Sequence, residues 1–254
     1  MFLFIYINVA DITALIDHQE VHLILQTNPD GRKKAETGLS WRKNTNSGHC
    51  TNSNSRGIDL NRNFPFKWGG AGSSGNQCDN TYRGPSPHSE PETEAGLDYM
   101  KTIFPPNQRC VNPNCDNLAD DDPAPDNAMG VAIDIHSYGE LVLSPWGFTA
   151  NDQCGNHNQF VTFGRKPAYF NGYEPKVSAG LYVTTGSTED TYYADFGVAA
   201  FVYELGTSFF QSCSVFESEI FPDNVKSLMY AAMVSRTPYK TVRRIPLPVL
   251  NELQ

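Results

Sequence analysis

Val131-Ala132-Ile133-Asp134-Ile135-His136-Ser137-Tyr138-Gly139 is the stretch on which the fold turns. Its first five residues are mostly β-branched or apolar, the signature of a buried strand, and the strand ends at His136. In an open α/β sheet the carboxyl ends of the strands are where ligands bind. The apolar run resumes at Leu141-Val142-Leu143 and stops at Pro145. Ala199-Ala200-Phe201-Val202-Tyr203 repeats the pattern and delivers Glu204. Val21-His22-Leu23-Ile24-Leu25 reads as a third strand, running into the turn Asn28-Pro29-Asp30-Gly31. Three strands therefore hand polar groups to one rim. By position alone, His136 and Glu204 fit ordinary solvent-touching strand ends better than a site. The rest of the chain changes that balance.

Outward from these strands, Asp11 to Asp17 reads as the end of a helix with Ile12, Leu15 and Ile16 on one face. Arg32 to Gly84 is polar and rich in Asn, Ser and Gly, too long for an idle loop in a compact domain. Ser89-Glu90-Pro91-Glu92-Thr93 opens a helix to about Ile103, with Ser89 as N-cap, and Pro105-Pro106 ends it. Cys110 to Asn127 is an acidic Pro/Asn/Asp loop, and Gly180 to Asp195 reads as a Thr/Gly/Asp-rich loop. A last helix starts near Pro222 and contains Leu228 to Val234, and residues 238–254 form a tail. No repeat interrupts the chain, so residues 1–254 are expected to form one domain.

A chain of 254 residues, 39 % hydrophobic and 19 % charged, has a globular profile. Its net charge of −9 argues against nucleic acid as partner. No segment approaches the roughly 20 apolar residues that span a membrane. The apolar opening, Met1 to Ala10, lacks the basic start of a signal peptide and reads as a strand or a false start. The six cysteines show no zinc-finger spacing. Their even number in loop-like sequence points to disulfides and a secreted or periplasmic setting. Cys110 and Cys115 flank Val-Asn-Pro-Asn and would close a small loop.

Seven motifs occur in order: Thr27-Asn28-Pro29-Asp30-Gly31, Trp41-Arg42-Lys43-Asn44, Asp59-Leu60-Asn61-Arg62-Asn63, Thr81-Tyr82-Arg83-Gly84-Pro85, Ser89-Glu90-Pro91-Glu92-Thr93, Ile135-His136-Ser137-Tyr138 and Tyr203-Glu204-Leu205. Together they resemble the zinc metallocarboxypeptidases of the carboxypeptidase A type, from Asp11 to about Val234. The resemblance implies an α/β/α sandwich around a twisted, mixed, eight-stranded sheet. It implies a monomer that removes the last residue of a peptide. Arg62 and Asn61 resemble the clamp for the terminal carboxylate, a task suited to a planar arginine fork. Arg42 resembles the donor to the developing oxyanion. Tyr182 resembles the tyrosine that closes over substrate. Ser137, Tyr138 and Glu189 fall at substrate-binding positions, with Glu189 near the pocket for the terminal side chain. Glu204 resembles the general base and His136 one of three zinc ligands.

The chain departs from the family at one point. The family's His-x-x-Glu pair, which supplies the other two zinc ligands ahead of the Asn-Pro-Asp-Gly strand, occurs nowhere, and His18-Gln19-Glu20 has the wrong spacing. The expectation is a carboxypeptidase domain without its N-terminal portion. Two readings stay open: a zinc carboxypeptidase whose catalytic unit is incomplete in this chain, or a module that keeps the carboxylate clamp and only binds. The resemblance also implies a Cys50–Cys78 disulfide, which leaves Cys154 with Cys213 by elimination.

Overall fold

The structure is a computed structural model that describes residues 10–105, 107–110 and 118–240. Its centre is a mixed four-stranded sheet in the order β1-β4-β2-β3, with β1 Val131–His136, β2 Leu141–Ser144, β3 Glu174–Val177 and β4 Ala199–Glu204. β1 runs parallel to β4, β4 antiparallel to β2, and β2 parallel to β3. Ala199 to Tyr203 are all buried, as expected of a central strand covered on both faces.

Side chains alternate across β4, and this alternation builds the layers. On one face Phe201 meets Phe160 and Phe163 of helix α4 (His157–Asn171), ring centroids 5.4 and 4.8 Å apart. On the same face Ser227 of helix α6 (Phe221–Val234) donates to the Tyr203 hydroxyl at 3.1 Å. Val202 and Glu204 point to the other face, which helix α5 (Thr188–Phe196) reaches through Thr188 on Asp134 of β1. Helices therefore lie on both faces of the sheet. Burial of a ring such as Phe201 contributes about 2–3 kcal/mol.

Helix α1 (Ala10–His18) buries Ile12 and Leu15 against Met229 of α6, on the predicted face. Helix α3 (Pro91–Ile103) begins two residues past Ser89; the Ser89 hydroxyl instead receives Asn63 Nδ2 at 3.0 Å and donates to Glu90. Asn28-Pro29-Asp30-Gly31 is not a free turn. It opens helix α2 (Pro29–Ala35), with Asn28 capping the Gly31 amide at 2.9 Å. The polar stretch after it is ordered by buried donors: Lys43 Nζ binds the carbonyls of Ser55, Gln77 and Asp79.

Four further expectations need correction. Residues 21–27 are not a strand: Val21, Leu23, Ile24 and Leu25 stay 41–90 % exposed, and no described segment pairs with them. Apolar alternation reports a preference for extended backbone, but a strand also needs a ladder partner. The described sheet has four strands, not eight. The expected loop before β4 contains α5, closed at its carboxyl end by Gly197 in the left-handed region, φ 69°. Cys154 and Cys213 are both free, the first inside the core beside the Pro145 carbonyl and the second on the surface, so they cannot meet. Cys50 and Cys78 are joined as implied. Cys110 is in a disulfide, and Cys115, its expected partner, lies outside the described residues, as do Met1 to Val9 and the tail beyond residue 240.

These thiols give a direct check. Burial pushes the Cys154 thiol up to about 12, so it is a poor nucleophile. In the folded protein at pH 8, one thiol, Cys213, should react quickly with a disulfide reagent, and a second only on unfolding. No reactive thiol in the unfolded, unreduced chain would restore the Cys154–Cys213 pairing.

Candidate active site

The parallel register between β1 and β4 sets His136 directly beside Glu204 and Asp134 beside Val202. Registered residues in a parallel pair share a face, so both strand ends point into one cleft. Arg42, Asn61, Arg62, His136, Tyr182, Glu189 and Glu204 all line one small hollow there. Ser137 and Tyr138 follow β1 but do not line it. Tyr138 is half-exposed and packs edge-on against Phe209, 4.7 Å between centroids. A larger hollow of about 510 Å³ between α3 and the end of α5 includes none of these residues.

Asn61 and Arg62, the expected carboxylate clamp, sit on a single 3₁₀ turn, Leu60–Arg62. Asp59 caps the turn, its Oδ1 accepting from the Asn61 amide at 3.2 Å. Its Oδ2 accepts from Arg42 Nε at 2.7 Å. Burial works against the Arg42 charge, but the pairing with Asp59 outweighs it and raises the guanidinium pKa. Arg62 is 3 % exposed, with Nε on the Gly72 carbonyl and Nη1 on the Asn61 carbonyl, at 2.8 and 2.6 Å. No described carboxylate pairs with it, and the Tyr182 ring lies 5.9 Å over it. Gly186 adopts φ 70°, and a Cβ there would stand 2.5 Å from the Arg62 carbonyl oxygen, so only glycine lets the following loop rest on the clamp turn.

Charge in the cleft is arranged by burial and by pairing. Asp134 Oδ2 accepts from His136 Nε2 at 2.9 Å and from Thr188 Oγ1 at 2.6 Å. Burial disfavours the His136 cation, but Asp134 overrides this by charge and hydrogen bond, with help from Glu204, and pushes His136 up to about 9. Burial raises Asp134 as well, yet His136 and Thr188 hold it below the ordinary carboxylate value. Glu204 is raised by burial, with His136 and Arg42 pulling back. Glu189 is 3 % exposed, and burial raises it too. The hydroxyls of Ser187 and Ser178 face its carboxylate and pull against that rise, and the Thr184 hydroxyl makes no hydrogen bond among the described residues. Motif reading had not singled out Asp134 and Thr188. The signal for Asp134 was its place two residues before His136 on a strand, hence on the same face.

No group of three His, Cys, Asp or Glu among the described residues could hold a metal ion. His136 also commits one ring nitrogen to Asp134. Three protein ligands are the norm for a catalytic zinc, so the described residues alone do not fit such a centre.

The fold is that of an α/β carboxypeptidase domain. The pattern of the zinc carboxypeptidase family matches residues 2–226, and the chain belongs to that family. The metallocarboxypeptidase A of Trichophyton rubrum is 35 % identical over 143 residues, 55 % of this chain and 28 % of that protein. Mast cell carboxypeptidase A of Mus musculus is 29 % identical over 202 residues, 76 % of this chain and 42 % of that protein. The aligned stretches thus span less than half of each relative. In fold, thrombin activatable fibrinolysis inhibitor has a TM-score of 0.71 at 23 % identity, over 95 % of this chain and 59 % of that one. The carboxypeptidase A from Helicoverpa armigera has a TM-score of 0.64 at 23 % identity, over 92 % of this chain and 58 % of that one.

The Asp134–His136 pair makes stability depend on pH. His136, raised from 6.5 to about 9, stabilises the fold fully below pH 6.5, and that contribution is lost as pH rises through 9. Asp134, held low, stabilises above its ordinary 3.8 and loses this only in stronger acid. Urea unfolding in chelator should show a loss on the order of 1–3 kcal/mol between pH 6.5 and 9.5. His136→Asn should remove most of that slope; an unchanged slope in the variant contradicts the assignment.

Proposed function

We propose that this chain takes the C-terminal end of a peptide into the cleft, the terminal carboxylate resting on Arg62 and Asn61. The observation that carries this reading is Arg62: a buried guanidinium with no carboxylate partner among the described residues. A buried cation in that state favours an incoming anion. Arg42 then faces the carbonyl side and Tyr182 covers the bound residue. Ser137 and Tyr138 border the part of the peptide that leads out of the cleft. The protein acts as a monomer, and its Cys50–Cys78 disulfide fits a secreted or periplasmic setting.

Zinc, which the family name implies, polarises a carbonyl and lowers the pKa of a bound water from about 15.7 to about 7. With His136 as the one family ligand, we assign no such step to this chain. Glu204, raised by burial, keeps the character of a general base. The chain by itself binds peptide ends, binds zinc weakly and hydrolyses little. Joined to a segment carrying His-x-x-Glu, it would gain tight zinc and hydrolysis. Isothermal titration with acetyl-Phe-Arg tests the clamp, and Arg62→Ala should lose about tenfold or more in affinity. Equal affinity in the variant removes the clamp from the account. Stoichiometric tight zinc binding that disappears in His136→Ala would show that further ligands exist.

Glu189 supports a preference for substrates ending in Lys or Arg. Its carboxyl is buried in the hollow with no cation paired to it among the described residues, and a desolvated cation needs such a partner. The protein should bind acetyl-Phe-Arg more tightly than acetyl-Phe-Phe, and Glu189→Gln should narrow the gap. A clear preference for the Phe-ended peptide sinks this assignment.

A further inference from the structure

We propose that Asp134 is a positioning residue that locks His136 and the carboxylate clamp into one relative placement. The inference rests on the reading of the cleft given above, but it concerns a side chain that touches no part of the proposed peptide. Two elements meet at one carboxylate, and a third is one contact further on. Asp134 Oδ2 accepts from His136 Nε2 of its own strand at 2.9 Å and from Thr188 Oγ1, at the start of α5, at 2.6 Å. Thr188 in turn donates its amide to Asn61 Oδ1 at 2.9 Å, on the clamp turn. The chain of contacts His136–Asp134–Thr188–Asn61 thus joins β1, α5 and the 60–62 turn.

The geometry fixes which ring nitrogen faces Asp134. A carboxylate accepts only, so Nε2 must carry the proton, and the His136 ring cannot rotate without losing that bond. Asn61 Oδ1 is committed to Thr188, which turns Nδ2 toward the same ring nitrogen at 3.5 Å. Both atoms then present hydrogens, so this is a contact that sets spacing rather than a hydrogen bond. Nδ1 makes no hydrogen bond among the described residues and is the ring nitrogen left for the cleft. The side chains of Asp134 and His136 are each 21 % exposed, so water competes weakly for the pair. Strand alternation supplies the geometry, because residues two apart on a strand share a face.

The test uses the 254-residue chain with Asp134→Ala, Asp134→Asn and Thr188→Val, each checked for folding by thermal melting. Long-range proton–nitrogen correlation spectra of the His136 ring, recorded above pH 9 where the ring is neutral, report which nitrogen is protonated. Titration with acetyl-Phe-Arg reports the clamp. In Asp134→Ala the ring should lose its Nε2-protonated signature and affinity should fall about tenfold. Asp134→Asn keeps an acceptor oxygen, so it should retain the signature and most of the affinity. A purely structural role would not produce that rescue. Thr188→Val should shift the ring signals and weaken binding less, and it decides the matter if Asp134→Ala does not fold. Unchanged ring signals in a folded Asp134→Ala or Thr188→Val overturn the proposal. If the wild-type chain does not bind the dipeptide, the cleft reading fails, while the ring spectra still decide the role of Asp134.

Discussion

The parallel rung between His136 and Glu204 is the constraint on which the cleft depends. Both side chains are the last residues of their strands, and both leave the sheet on the same face. A slip of one residue in that pairing would turn one of them into the opposite layer, where Phe201 and Tyr203 already fill the space against α4 and α6. The buried run Ala199 to Tyr203 resists such a slip, because it would drive Glu204 into apolar packing. The hydrophobic core and the placement of the polar site are therefore one fact seen from two faces of β4.

Around that rung, the cleft balances cations against carboxylates, each held by a partner outside the hollow or by burial. Asp59 holds Arg42 and caps the clamp turn, and Asp134 holds His136. Removing one partner of a fully buried pair typically costs about 3–5 kcal/mol, because the other charge is left behind, and solvent reduces this for the pair with Arg42, whose side chain is 38 % exposed. Arg62 differs, since its described partners are neutral carbonyls and a ring face. Its charge is the part of the balance left for a ligand. Glu189 is a buried carboxyl at the other side of the hollow, raised by burial and faced by the Ser178 and Ser187 hydroxyls. The proposed C-terminal Lys or Arg substrate would set its carboxylate at one end of the hollow and its cation at the other.

Much of this was legible in the chain because the motif residues sit at element ends, where sequence spacing and spatial position agree. His136 and Glu204 close strands, and Asn61 and Arg62 ride on a turn capped within the same motif. Failures came where a neighbour decides the outcome. Leu23, Ile24 and Leu25 carry strand preference without a described partner strand. Thr188-Glu189-Asp190-Thr191 is poor in helix formers, yet it folds as α5 because Tyr193 and Phe196 bury into the core and Gly197 closes the end. Cys154 was paired by elimination, a rule blind to its burial. Asp134 carries a sequence signal in its spacing from His136, but its partner Thr188, 54 positions away, carries none.

The central claim is that this cleft reads a free terminal carboxylate without needing a metal to do so. The most direct measurement compares acetyl-Phe-Arg with its C-terminal amide, by calorimetry on the chain in excess chelator. The account predicts that the acid binds and that the amide, which offers Arg62 no charge, binds at least about tenfold more weakly. Equal affinity for acid and amide would contradict it.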